Sequence, residues 1–244
     1  MSRSSFSRRG NARREAGFNL IELTIVLVVL GVMGFLAGSA FSGADTASSA
    51  SKNRARAKVV YEAVRYFALA NKRFPCPDQS GDGYEECEGR VEFGFVPYVT
   101  LGLENMMEMD PVYYAVYRGT NDNSDLAVLA ERGDDTEGQI GYKGYGDLIQ
   151  ALEGIPTTLD PTNHVRVAAV SADGTSDCSN ATHPAFVVMV PGAVGKDGEN
   201  VTNWGDSPYC VASPIQSGTS SYDDFVLAES PVALAEWLFK HHVP

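Results

Sequence analysis

Residues 18–41, FNLIELTIVLVVLGVMGFLAGSAF, form an apolar run of 24 residues interrupted by one charge, Glu22. As an α-helix this run would extend about 36 Å, enough to cross a hydrocarbon core of about 30 Å. Such a segment must lie in lipid, lie among similar helices, or be removed. Its flanks set a direction. Before Gly17 stand five Arg (Arg3, Arg8, Arg9, Arg13 and Arg14) against one Glu, Glu15. Of the net −12, the first sixteen residues therefore contribute +4 and the remainder −16. Lys and Arg stay on the cytoplasmic side of a membrane segment, so the acidic body is expected to be translocated. A body of that charge also argues against nucleic acid as a partner. The one dense basic stretch beyond the apolar run, KNRARAK at 52–58, reads as a solvated helix face.

Three fates fit the apolar run. A secretory signal peptide would be cut near AGSA at 37–40. A plain signal anchor would tether an unrelated periplasmic domain. Neither accounts for Glu22, because a carboxylate in the apolar part of a membrane helix weakens insertion by a few kcal/mol.

The third fate accounts for it. The stretch GFNLIEL, with the Arg-rich leader before it and the apolar run after it, resembles the type III signal of type IV pilins and type II secretion pseudopilins. The resemblance implies cleavage by a prepilin peptidase on the cytoplasmic side, between Gly17 and Phe18, and methylation of the new N-terminus at Phe18. It makes Glu22 the fifth residue of the mature chain. There the family places a Glu that meets the terminal amine of a neighbouring subunit, so that two poorly solvated charges neutralise each other. The implied partners are other pilin or pseudopilin subunits, the peptidase that also methylates, and the inner membrane. Gly34 and Gly38, with Gly31 nearby, form a small-xxx-small pattern that lets membrane helices approach closely.

From residue 44 to about Lys72 the chain is Ala-rich and free of Pro. Ala57, Val60, Val64, Phe67 and Ala70 recur at spacings of three and four and predict one apolar helix face, with Tyr61, Glu62 and Arg65 off it. FPCP at 74–77 ends the helix. Beyond it, Gly, Pro, Asp and Asn separate short β-type runs at 110–118, 164–171, 185–192 and 223–230, with shorter candidates EFGFVPY and DLAVLAE. Residues 231–242 read as a terminal helix with Ser230 at the N-cap and Pro231 at N1. The expected fold class is α+β: a long N-terminal helix, half membrane and half amphipathic, packed on a mainly antiparallel sheet. The order RFPCPDQSGDGYEE, GFVPYVTLGL, DPVYYAVYR, with a late YDDF, is similar to a group of minor-pilin-like heads.

Four cysteines, Cys76, Cys87, Cys178 and Cys210, in a translocated domain predict disulfides. Three pairings exist, and proximity in sequence favours Cys76–Cys87 and Cys178–Cys210. The loop DQSGDG aligns Asp78, Ser80, Asp82, the Tyr84 carbonyl and Glu86 with alternate positions of a calcium loop. Position 12, where a bidentate Glu belongs, is Gly89, so the alternative is an Asp/Gly turn held by Cys76–Cys87. GKDGEN at 195–200 reads as a hairpin or loop turn. The histidines His164, His183, His241 and His242 show no metal-ligand spacing apart from the adjacent terminal pair, and no nucleophile or phosphate-loop motif is present. Neither an enzymatic role nor a cofactor other than Ca2+ is expected.

The chain thus divides into a removable leader (1–17), a transmembrane and fibre-core helix (18–41), its amphipathic continuation (42–73) and a periplasmic or extracellular head (74–244). The expected role is structural: a minor subunit of a type IV pilus or secretion pseudopilus, held in the inner membrane with its N-terminus cytoplasmic until assembly. The rival expectation is a membrane-anchored periplasmic binding or enzymatic domain whose anchor resembles the signal by chance.

Overall fold

The computed structural model describes residues 20–107, 111–119, 124–128, 145–156, 164–168, 181–192, 210–214 and 224–241. The elements are α1 (Leu20–Asn71), β1 (Phe93–Phe95), β2 (Tyr113–Val116), α2 (Tyr145–Glu153), β3 (Arg166–Ala168), β4 (Phe186–Val190), β5 (Cys210–Ala212), β6 (Phe225–Glu229) and α3 (Pro231–His241). Single 3-10 turns lie at Glu88–Arg90 and Glu104–Met106. The chain divides into two compact units, Met1–Ser48 and Ser49–Pro244. Within α1, side chains are described at 21, 23–32 and from 50 onward.

The larger unit is α+β and built in layers. Four antiparallel strands run in the order β1-β2-β4-β6. β4 is central and every one of its side chains is buried, because strand residues alternate faces and both faces of this strand are covered. On one face, Phe186, Val188 and Val190 join Tyr114 and Val116 of β2 in the main core. The helices close that face with Ala57, Val60, Val64 and Ala68 of α1, Leu148, Ala151 and Leu152 of α2, and Leu234 and Leu238 of α3. On the other face, Val187 and Met189 pack with Ala115 and Val226 against Val165 and Val211, which border or belong to the β3–β5 pair.

Local chemistry explains the element ends. α1 stops where Lys72, at φ 58, donates its N–H to Ala68 O at 2.9 Å, a left-handed residue closing the helix before Phe74–Pro75. α3 starts at Pro231, whose missing N–H costs nothing in a first turn, and Leu234 N–H reaches Ser230 O at 2.9 Å. Its last turn holds Lys240 and His241, the favourable sign at a helix C-terminus.

Three sequence expectations change. The buried stripe of α1 continues from Val64 to Ala68, while Phe67 is half-buried and Ala70 exposed. Repeated steps of three drift around a helix of 3.6 residues per turn, and the step of four corrects the drift. Tyr61 and Arg65, expected off the apolar face, are partly buried because they reach Glu229 at the end of β6. The expected strand at 125–131 is a turn where described. Only Asp125 bridges Arg118, while Leu126 O is taken by Phe74 N–H and the Asp125 carboxylate by Ala127 N–H. The expected mainly antiparallel sheet is the four-stranded one, and beside it lies a two-stranded parallel pair, β3–β5. Residues 195–200 and Cys178 lie outside the described residues.

Candidate functional site

Among the described residues no helix is long and apolar enough to cross a membrane. The described large apolar side chains between Ile21 and Val32 are each 46% to 65% exposed. Added at Gly31, a Cβ would meet nothing within 4 Å. Gly17 and Phe18 lie outside the described residues, as do the Glu22 side chain and the surroundings of Gly34 and Gly38.

The second candidate is a closed loop at the end of α1. Cys76 and Cys87 form a disulfide, the first of the two pairings favoured by proximity. Inside it, Asp78 is buried and its carboxylate accepts Gly81 N–H at 2.6 Å on Oδ1 and Gly83 N–H at 2.7 Å on Oδ2. Its backbone pairs with Phe95, N–H to O and O to N–H, which fastens the loop to β1. Gly83 has φ +87, and a Cβ there would lie 2.8 Å from the Val99 side chain. Glycine is thus required both for the backbone angle and for the close approach. Carboxylate oxygens of Asp78, Asp82 and Glu86 come within 4.8 Å of one another. These three could present a hard cation with oxygen, fewer ligands than the six to eight that Ca2+ takes. Ser80 Oγ turns to Asp78 Oδ1 at 3.3 Å, Asp82 accepts Tyr84 N–H at 2.9 Å, and the Tyr84 ring is exposed. These Asp78 hydrogen bonds serve the turn itself.

The loop is locked to the helix end by Arg73, which meets Glu85 through two hydrogen bonds of 2.7 Å. Glu85 also accepts Cys76 N–H at 3.0 Å. Burial alone would raise the Glu85 carboxyl, but the Arg73 hydrogen bonds, the Cys76 N–H and the Arg73 charge outweigh it and hold it below the usual carboxylate range. A depressed carboxyl contributes stability that is present above the unfolded pKa, about 4.3, and lost as pH falls through the folded value. Glu85→Gln is therefore expected to cost about 2 kcal/mol at neutral pH. Its thermal denaturation curve should converge with that of wild type as pH falls below the usual carboxylate range, and a gap independent of pH would refute this role.

Two buried carboxylates join elements distant in sequence. Glu229 accepts the Tyr61 hydroxyl and sits 3.1 Å from Arg65 Nε, whose guanidinium covers the Trp237 ring at 4.3 Å. Burial raises the Glu229 carboxyl more than the Tyr61 hydroxyl and Arg65 lower it. Glu92 accepts Val165 N–H at 2.7 Å, Arg118 N–H at 2.9 Å and His164 Nδ1–H, so it ties the entry to β3 onto the β1–β2 edge. His183 lies beside it, its ring 6.2 Å from that of His164 and its Nδ1 donating to Val165 O at 3.2 Å. Burial pushes the His183 imidazole below its ordinary value. This His–His–Glu grouping escapes a reading of spacing because 72 residues separate Glu92 from His164. Its bonds hold strands together. No family model, no curated protein and no solved structure matches this chain.

Proposed function

We propose that the chain is a structural subunit, of the minor kind, of a type IV pilus or type II secretion pseudopilus. The leader is removed after Gly17, Phe18 is methylated, and the apolar helix serves first as membrane anchor and then as fibre core. Glu22 pairs with the N-terminal amine of a neighbour. The observation that carries this reading is the order of Arg-rich leader, Gly17, Phe18, Glu22 and an uncharged apolar run. It is supported by the uncovered apolar side chains between Ile21 and Val32. A helix segment apolar on all sides finds its cover in lipid or in sister helices, and Gly31 leaves room for such a neighbour. The role asked of the larger unit is presentation at the fibre surface or tip. Its disulfide and buried clamps suit a part that works outside the cell.

Mass spectrometry of the protein recovered from membranes tests the reading. The expected mature chain begins with N-methylated Phe18. An intact Met1 or a cut near Ala40 would sink it and favour the anchored periplasmic domain. Gly17 is the residue the peptidase must read, so Gly17→Val should leave the full-length precursor in the membrane.

A further inference from the structure

The body after Gly17 has a strong negative balance, yet Lys52, Arg54 and Lys58 stand exposed on the first turns of α1 within the larger unit. Among the described residues none of the three makes an ion pair. Arg54 lies over the Phe225 ring at 5.2 Å, while the fourth cation of the stretch, Arg56, is partly buried with its charge close to the Tyr98 hydroxyl. Past the other end of the same helix, after Lys72 and Arg73, the chain enters an acidic loop. Asn71 lies about 26 Å beyond Arg54 along the axis at 1.5 Å per residue. From there the chain passes within a few residues into the disulfide loop, where Asp82 and Glu88 are exposed and Glu86 is half-buried. Among the described residues these three acids have no cation partner. Both ends belong to one compact unit, Ser49–Pro244.

We propose that these two ends are halves of one interface between copies of this chain. The Asp82, Glu86 and Glu88 edge of one copy docks on Lys52, Arg54 and Lys58 of the next. Among the described residues neither group has a partner of opposite charge within the chain, and a second copy supplies one. The contact is head-to-tail, so each added copy leaves one free end of each sign and the series continues instead of closing. Complementary charge of this kind sets register and suppresses wrong approaches more than it adds affinity. An anionic lipid surface or a nucleic acid would have to approach the same cations past an acidic body, whereas a second copy offers a local acidic edge. The inference rests on the fibre-subunit reading, in which neighbouring subunits stand side by side along one axis, and adds to it the surfaces by which two copies of this chain meet.

The test uses two differently tagged full-length chains, co-expressed, extracted in detergent and copurified at low and at high salt. The basic end is reversed with Lys52→Glu and Lys58→Glu, and the acidic edge with Glu86→Lys and Glu88→Lys. Arg54 and Asp82 are left alone because they pack on Phe225 and accept Tyr84 N–H. Wild-type copurification is expected to fall with salt. Either double variant alone should recover about tenfold less partner, and the basic-end variant mixed with the acidic-edge variant should return to the wild-type level. Wild-type recovery by either variant alone overturns the proposal, as does failure of the mixed pair to recover. Loss of binding to phosphatidylglycerol vesicles with copurification intact overturns it in favour of a lipid contact. The N-terminal mass separates the two ideas. A chain beginning at methylated Phe18 with no charge-dependent pairing loses this inference alone, and an unprocessed chain that still pairs loses the fibre reading alone.

Discussion

Replacing Glu22 with Ala is expected to leave the chain inserted in the membrane and to remove it from fibres. On the proposed reading, insertion depends on the apolar run, which gains hydrophobicity when the carboxylate goes, and assembly depends on the pair of Glu22 with a neighbour's terminal amine. Without Glu22, the terminal amine of the neighbour would enter the apolar fibre core uncompensated. Breaking such a buried pair costs about 3 to 5 kcal/mol, which lowers incorporation more than a hundredfold. Glu22→Gln should do nearly as much harm, since an amide keeps the shape and loses the charge. The measurement is the ratio of protein in sheared fibres to protein in membranes. Undiminished incorporation of Glu22→Ala would remove the assembly role assigned to this residue.

Phe186→Ala is the change expected to hurt the larger unit most. Phe186 starts β4, pairs with Val116 of β2 and Glu229 of β6, and is fully buried. Its ring lies 5.1 Å from Tyr61 on α1, 5.4 Å from Phe74 and 6.4 Å from Tyr114 on β2. It therefore joins helix, sheet and loop entry in one aromatic cluster. Truncating a buried Phe removes its transfer free energy and leaves a cavity that a strand in the middle of a sheet cannot collapse to fill. The expected loss is about 4 kcal/mol. Denaturation of the full chain in detergent measures it, with Phe186→Leu as the milder comparison. A loss under about 1 kcal/mol would mean that Phe186 is not the centre of this core.

Periodicity makes much of this fold readable beforehand. The expected runs around β1, β2, β3, β4 and β6 contain those strands, and α3 covers 231–241 of the expected 231–242. Alternating β-branched and aromatic residues suit a pleated, half-covered surface, and Pro231 marks a helix start. β5 is three residues long, too short to carry a period. α2 falls outside the expected elements, although Leu148, Ile149, Ala151 and Leu152 carry a helical spacing in YGDLIQALE. DLAVLAE misleads because Leu126, Ala127 and Val128 are buried in a turn whose backbone and Asp125 carboxylate are engaged elsewhere.

By itself the sequence determined where the chain passes from a basic leader to an apolar run and then to an acidic body. One apolar run, one charge within it and an Arg-rich flank follow from composition along a single segment, as does the stop at FPCP, where ring geometry forbids further helix. The pairing of Cys76 with Cys87 is favoured for the same local reason, since the two stand eleven residues apart. Only the tertiary structure decided how the buried charges are satisfied. Glu92 with His164, Glu229 with Tyr61 and Arg118 with Asp125 meet across strands or loops. Hydrophobic patterning repeats along the chain and can be counted, whereas partners for a buried charge are set by whichever segments the fold brings within about 3 Å, and no spacing records that.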